Sequence, residues 1–305
     1  MAVSVIAVVG ATATGKSDLA LDLAERFDAE IVNADAMQLY RGMDIGTAKV
    51  PPDARRGIPH HQLDVLDVHQ EASVAAYQHH ARQDLASITA RGRPAVVVGG
   101  SGLYVRALLD EMSFPGTDPQ VRAALEQRAA REGPGTLHAE LARLDPAAAQ
   151  RIDSRNVRRI VRALEVIELT GEPFSANLPE HRYAIEAVQI GLALSDEELD
   201  ERIGARAAAM YATGLLEETR DLVARGLEQG RTANRAVGYA QALAVLRGEL
   251  AESEAIADTA RATRQLARRQ RKWFRRDPRV HWITAGERAT ARAVRYLEDE
   301  VSSCL

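Results

Sequence analysis

The chain opens with an apolar run, Val3 to Val9, followed by Leu19, Leu23 and Phe27 at helical spacing. That pattern predicts a buried strand and then an amphipathic helix. The alternation continues to about residue 110. Glu30 to Ala34 reads as a short second strand ending at Asp35, and Gln62 to Leu66 as a weaker third. Val74 to Ala90 reads as a helix stopped by Gly92 and Pro94. Ala95 to Val98 is a β-branched strand that Gly99-Gly100 turns into a helix from Ser101 to Leu109. Strands separated by helices predict an α/β fold, a parallel sheet flanked by helices. Ligands of such sheets sit at the carboxyl ends of the strands. Gly10, Asp35 and Gly99 each follow a strand, so one pocket can gather all three.

The periodicity changes near Phe114-Pro115-Gly116. From Asp118 to about Gly171 every segment is helical. Asp118-Pro119 and Asp145-Pro146 have the form of helix starts, a cap followed by proline in the first turn. Gly171-Glu172-Pro173 is a stop. Val188 to Leu194 returns to strand, and Ser195 with Glu198 three residues on forms a capping box. Helices follow to about Gly248, then a long one from Glu252 to Arg276, a short strand from Val280 to Ile283 and a terminal helix. The reading is a core of residues 1–114 and 187–305 with an inserted all-helical subdomain, 115–186.

Composition changes this picture little. At 305 residues, 46% hydrophobic and 27% charged, the chain has the make-up of a soluble globular protein. With 39 Lys+Arg against 43 Asp+Glu, any nucleic-acid signal must come from local clustering. The one cysteine, Cys304, permits no disulfide within the chain and is assigned no role. No apolar run approaches the length of a membrane span, and the amino terminus enters a strand without a basic leader. The expectation is a cytoplasmic protein without a membrane association.

Three stretches carry chemistry. The first is Gly10-Ala11-Thr12-Ala13-Thr14-Gly15-Lys16-Ser17, a phosphate-binding loop between strand and helix. Its N–H groups and the helix dipole converge on one electropositive spot. Lys16 adds a cation for the terminal phosphate, and the Ser17 hydroxyl is placed to hold Mg²⁺. The loop alone leaves open whether the phosphates belong to a nucleotide. The second runs from Asn33 through Asp35-Ala36-Met37-Gln38 to Lys49. A carboxylate at this strand end can bind Mg²⁺, act as a general base or cap the next turn. Gln38 has the donor and acceptor that read an adenine edge, and Lys49 stands in a loop from which it can reach an anion. The third is basic. Arg158, Arg159 and Arg162 lie in the insertion, while Arg268 and Arg271 belong to an arginine-rich helix that carries Trp273 and Phe274. Such stripes attract a phosphate backbone, or pair with nearby acids. His60, His61, Asp64, Asp67 and His69 lack a recognised metal-ligand spacing.

These motifs resemble those of the tRNA dimethylallyltransferases, also called tRNA isopentenyltransferases. The matching pieces are the phosphate loop, Asp35 to Arg41 with Asp44 to Lys49, Gly99-Gly100-Ser101-Gly102-Leu103-Tyr104, Arg158-Arg159 to Glu165, Arg202-Ile203 with Arg206, Gly214 to Glu218, Val237-Gly238-Tyr239 and Arg268 to Arg275. Ala11, Ala36 and Ser101 stand where that family commonly has proline, serine and threonine.

The resemblance implies a P-loop kinase-like core and transfer of a dimethylallyl group from its diphosphate to the N6 amine of the adenine 3′ of a tRNA anticodon. It implies that Asp35 is the base, that Gly10 to Ser17 hold the diphosphate with Mg²⁺ at Ser17, and that Lys16 and Arg206 meet the departing charge. Asp35, Ala36, Met37, Gln38 and Ser101 would then face the flipped nucleotide, with Ala36 lacking a hydroxyl to contribute. Arg122, Arg158, Arg159, Arg162, Arg268 and Arg271 would hold the anticodon stem-loop, and the enzyme would act as a monomer. A nucleotide or small-molecule kinase shares the loop, and a non-catalytic RNA-binding protein shares the basic helices.

Overall fold

The computed structural model describes residues 4–177 and 181–303; Cys304 lies outside them. Two compact units emerge, Met1–Leu109 with Ile185–Leu305, and Asp110–Ala184.

In the first unit β1 (Val5–Gly10) leads through the glycine loop into α1 (Lys16–Phe27). β2 (Glu30–Asn33) and β3 (His60–His61) follow, then α2 (Val74–Ala90), capped by the Ser73 side chain on the Ala76 N–H. β4 (Ala95–Gly99) leads to α3 (Gly102–Leu109). The helical unit comes next, with α4 (Pro119–Glu132), α5 (Pro134–Leu144), α6 (Pro146–Arg151) and α7 (Val157–Thr170). The chain returns through β5 (Val188–Ala193) to α8 (Asp196–Ala212), α9 (Leu215–Ala224), α10 (Tyr239–Leu246), α11 (Glu252–Phe274), β6 (Val280–Thr284) and α12 (Ala289–Ser303).

The six strands form one parallel sheet in the order β3-β2-β4-β1-β5-β6. Every residue of β1 is buried, as a strand covered by helices on both faces requires. Val5 pairs with Ala95 of β4, and Ile6 with Val188 of β5. The carboxyl ends of β1, β2 and β4 therefore lie together, and the loops after them meet. On one side Leu19, Leu23, Ile31, Val96, Ile190 and Leu297 form a core cluster. A second cluster gathers Tyr40, Met43, Tyr211, Leu215 and Tyr239 around α9 and α10. Between α8 and α11 a third cluster gathers Leu199, Ile203, Ala207, Ala260 and Ala267 with Ala11 of the glycine loop. Ser195 and Glu198 close the capping box that starts α8.

The third strand falls earlier than its sequence pattern suggests. Ile31 and Val32 pair with His60 and His61, while Gln62 (φ 58°) and Asp64 (φ 55°) are left-handed and end the strand. Leu66 instead makes an isolated bridge to Tyr40.

In the helical unit Asp118 and Asp145 accept first-turn N–H groups of α4 and α6, and Gly171 (φ 71°) closes α7. Its core centres on Leu137, Leu141 and Ile160. At its base Asp110 bridges Tyr183, and the Glu111 N–H donates to the Arg182 carbonyl. Among the described residues no helix is long and apolar enough to cross a membrane.

Candidate active site

Gly10 opens the phosphate loop at φ 136°, and a Cβ there would stand 2.8 Å from the Leu192 carbonyl oxygen of neighbouring β5. The loop thus turns hard against the sheet, where only glycine fits. The Thr14 hydroxyl donates to the Ala11 carbonyl at 2.9 Å, and Lys16 Nζ donates to the same oxygen at 2.5 Å. Burial pulls the Lys16 ammonium down to about 8. Asp35 works against that fall and Arg206 adds to it. Both side chains are thus electrostatically in reach of Lys16.

Asp35 is held by a set of bonds that its own motif does not announce. Asn33 Oδ1 accepts the Asp35 N–H at 3.0 Å. Asn33 Nδ2 donates to the Asp35 and Gln62 carbonyls. Tyr77 donates to the Asn33 carbonyl at 2.8 Å. Asp35 Oδ1 accepts the Met37 N–H at 2.9 Å, so capping takes one carboxylate oxygen and leaves the other without a hydrogen bond among the described residues. The Ser101 hydroxyl accepts the Ala36 N–H at 3.2 Å, which pins the same turn from β4's side.

Arg206, on α8, donates to the Thr12 hydroxyl (3.3 Å) and the Thr47 carbonyl (3.4 Å), while its buried Nε has no partner. Burial lowers its pKa and Asp35 partly restores it. Gln270 of α11 accepts the Thr12 N–H at 2.8 Å. Thr12 is therefore tied to α8 and α11, whereas Thr14 and Lys16 are bonded within the loop. Gln38 Nε2 donates to the Thr47 carbonyl at 3.1 Å, which ties it to the loop opposite.

That loop, Asp44 to Lys49, is clamped by distant residues. Glu218 accepts the Ile45 N–H at 2.9 Å, and the Tyr239 hydroxyl donates to Glu218 and accepts the Gly46 N–H at 3.1 Å. Lys49 is not free to reach an anion. It is buried, with Asp44 at 2.5 Å, Asp64 at 2.6 Å and the Tyr40 carbonyl at 2.9 Å. Two acids and a carbonyl satisfy all three of its donors.

A Cβ on Gly46 would lie 2.4 Å from the ring of Tyr239, which is fully buried and cannot move aside. Gly46→Ala is expected to displace the loop, lower stability by about 1–3 kcal/mol and cut activity on the order of 10²-fold through misplacement of Thr47. Calorimetry and an activity assay check this; an unshifted melting midpoint would refute it.

Two cavities meet at these residues. The larger, about 840 Å³, is lined by the loop residues Gly15, Lys16 and Ser17, and by Asp35, Gln38 and Arg202 among others. The smaller, about 80 Å³, has walls of Met37, Ile203, Ala207, Met210, Val237 and Leu266. Thr12, Asp35, Thr47, Arg206 and Gln270 line both. A cavity carrying the phosphate loop thus adjoins a small one of mixed lining, and a carboxylate, an arginine and a glutamine stand at the junction.

Ser17, Asp18 and Asp53 offer hard oxygen donors to the large cavity. Among the described residues no group of three or more His, Cys, Asp or Glu is placed to hold a metal. Mg²⁺ suits such a place, because it takes one or two protein oxygens together with substrate phosphates and water. The histidine-rich stretch is occupied otherwise: His61 bonds Glu30 at 2.7 Å, His60 bonds the Ile58 carbonyl and Asp67 pairs with Arg41.

The arginines divide. Arg158 and Arg159 are exposed at the start of α7 and Arg268 is exposed on α11, none with an ion pair among the described residues. Arg122 and Arg162 instead grip the fully buried Glu165, at 2.7 and 2.9 Å. Burial pulls Glu165 up, but those two partners outweigh it and hold its pKa below the usual value. Arg271 is paired with Asp196. For these three, pairing with acids is the outcome in this structure.

The sheet order and the loop define a P-loop α/β protein of the kinase-like kind, here with a second, small cavity beside the phosphate site. Comparison with known proteins narrows this. The IPP transferase family model matches residues 38–277. A tRNA dimethylallyltransferase of Streptomyces avermitilis is 60% identical over 280 residues, 92% of this chain and 90% of that one. One from Thermobifida fusca is 60% identical over 285, covering 92% and 89%. The crystal structure of the tRNA isopentenylpyrophosphate transferase of Bacillus halodurans superposes with TM-score 0.73 at 34% identity, covering 98% and 96%. A eukaryotic dimethylallyltransferase seen acting on tRNA superposes at TM-score 0.84 and 25% identity, covering 98% and 79%. The chain belongs to the IPP transferase family.

Sequence reasoning passed over Asn33, Thr47, Gln270 and the Glu218–Tyr239 pair. Gln270, Glu218 and Tyr239 stood inside quoted motifs, but nothing local says that they reach across the fold. Asn33 was adjacent to the carboxylate, and an Asn two residues before it is a legible turn signal.

Proposed function

We propose that this chain transfers a dimethylallyl group from dimethylallyl diphosphate to the N6 amine of the adenine 3′ of the anticodon in tRNA. The observation that carries the reading is the small cavity, with Met37, Ile203, Met210, Val237 and Leu266 among its walls, that meets the phosphate-loop cavity at Asp35. In this reading the diphosphate lies on Gly10 to Ser17 and the prenyl carbons lie in the small cavity.

The chemistry follows from the groups at the junction. The exocyclic amine is a weak nucleophile, because its lone pair is delocalised into the ring. Its N6 lone pair forms the bond to C1 of the allyl group, the C1–O bond breaks with its electrons leaving on the diphosphate, and the N6 proton passes to Asp35. Negative charge grows on the departing oxygen. Lys16 and the loop N–H groups meet it from one side and Arg206 from the other. Bound Mg²⁺, held by Ser17 and the phosphates, would supply further charge neutralisation. The adenine must leave the anticodon loop stack to reach Asp35. Arg158, Arg159 and Arg268 are the cations left to hold its backbone. The enzyme acts as a monomer in the cytoplasm.

The test is transfer of radiolabelled dimethylallyl from its diphosphate to unmodified tRNA by the full chain with Mg²⁺. Label in the tRNA, at the adenine 3′ of the anticodon, is expected. ATP consumption with no label would sink the reading in favour of a kinase.

A further inference from the structure

Two side chains that line neither cavity, Glu218 of α9 and Tyr239 of α10, hold the backbone of a loop that lines both. Glu218 accepts the Ile45 N–H on both carboxylate oxygens, at 2.9 and 3.2 Å. The Tyr239 hydroxyl accepts the Gly46 N–H at 3.1 Å and donates to Glu218 Oε1 at 2.5 Å. Burial, and then the Glu218 charge, push that hydroxyl above its ordinary pKa, so it stays a donor. Two consecutive amides are thus satisfied by one mutually oriented pair. The next residue is Thr47. Its hydroxyl turns back onto the Met43 carbonyl at 2.6 Å. Its own carbonyl has two lone pairs, and each meets a donor. Gln38 Nε2 comes from the turn after β2 at 3.1 Å, and Arg206 from α8 at 3.4 Å. Beyond Thr47 the loop is pinned again, where Lys49 bonds Asp44 and Asp64. The packing of α9 and α10 does not require the polar pair, because Leu215, Leu222, Ala242 and Leu243 already belong to the core cluster there.

We propose that Glu218 and Tyr239 are positioning residues for the transfer: they fix the Thr47 carbonyl, and that one oxygen aims both Gln38 and Arg206. This rests on the reading that Gln38 faces the flipped adenine and Arg206 the departing diphosphate. Both are long side chains with many rotamers, and a fixed acceptor removes most of that freedom before substrate arrives. Neither Glu218 nor Tyr239 takes or gives a proton in the reaction. Their effect passes through backbone amides to Thr47 and from there to the two side chains that act.

The test uses Tyr239→Phe, which keeps the ring beneath Gly46 and deletes only the hydroxyl. Its kcat for prenyl transfer is expected to fall about ten- to 10²-fold, the scale of a misplaced active-site group. Its dissociation constant for inorganic diphosphate, measured by titration calorimetry, should rise several-fold. Glu218→Gln keeps an acceptor for the Ile45 N–H and should recover much of the activity that Glu218→Ala loses. Leu243→Ala destabilises the same cluster without touching the pair, and below its melting midpoint it should turn over like wild type. The readout that a merely structural role would not move is the combination with Arg206→Lys. If Tyr239 acts through Arg206, the double variant loses at least about fivefold less than the product of the single losses. Losses that multiply, or a Tyr239→Phe enzyme with wild-type kcat and diphosphate affinity, would overturn the proposal and leave the transferase reading standing. A wild type that binds diphosphate but transfers nothing would sink that reading instead. The hold on Arg206 would then be overturned by unchanged diphosphate binding in Tyr239→Phe.

Discussion

Asp35→Ala is expected to lower kcat for prenyl transfer about 10²–10⁴-fold, with tRNA affinity within a few-fold of wild type. The argument is one of geometry and then of chemistry. Asp35 lines both cavities, and one of its oxygens is committed to the Met37 N–H. The other is left for the N6 proton. Alanine removes both jobs at once, so a second variant is needed to separate them. Asp35→Asn keeps an Oδ1 acceptor for Met37 and hence the turn, but an amide does not take the proton. If Asp35 is the base, asparagine falls nearly as far as alanine, and in kcat more than in KM. If asparagine recovers most of the activity, the carboxylate only shapes the turn, and the proposed mechanism is wrong at its centre. Single-turnover rates with saturating tRNA give the cleanest reading, because they separate the chemical step from product release.

How much of this was legible beforehand depends on how local each cause is. β1, β4 and α2 follow from runs of apolar residues and from stops that lie inside the same stretch. The helix starts at Pro119 and Pro146 follow from an aspartate beside a proline. β3 was displaced because Gln62 and Asp64 adopt left-handed backbone, which the alternation of Gln62 to Leu66 does not reveal. The glycine loop declares its phosphate chemistry in eight residues, yet the fate of Thr12 is decided by Gln270, 258 residues away. Lys49 carries no local sign that Asp44 and Asp64 will enclose it. The same holds for Arg122, which joins Arg162 on Glu165 only when α4 and α7 pack, whereas Arg162 and Glu165 are i,i+3 neighbours on α7. Charge is visible in a sequence; whether it is already spent is a property of the folded pairing. The small cavity is the least legible feature, since its walls come from the Asp35 turn, the Gly46 loop, α8 and α11 together.

Lys16 offers the second large effect, because its burial makes it sensitive to pH in a range where the ordinary lysine value of 10.5 would not. With a value of about 8 in the folded chain, free enzyme loses this cation as pH rises through 8. kcat/KM reports the free enzyme's ionisations, so it is expected to break near pH 8 and fall about tenfold for each further unit. Bound diphosphate favours the charged form, so kcat at saturation should break at higher pH. Stability should move the other way. Between about 8 and 10.5 the unfolded chain still holds this proton and the folded chain does not. The unfolded state then binds more protons, and this group's contribution to folding grows as pH rises. Activity per unit substrate and thermal midpoint should thus diverge across the same interval. Lys16→Met keeps the length of the side chain without the charge. It should lose about 10²–10³-fold in kcat/KM at pH 7, show no break near 8 and lack this part of the stability rise. Asp35 supports the Lys16 charge, so Asp35→Asn should move the Lys16 break to lower pH, readable as diphosphate binding even where transfer is lost. Diphosphate affinity that stays flat from pH 7 to 10 in wild type would remove Lys16 from the phosphate site. The departing charge would then fall to Arg206 and the loop N–H groups alone.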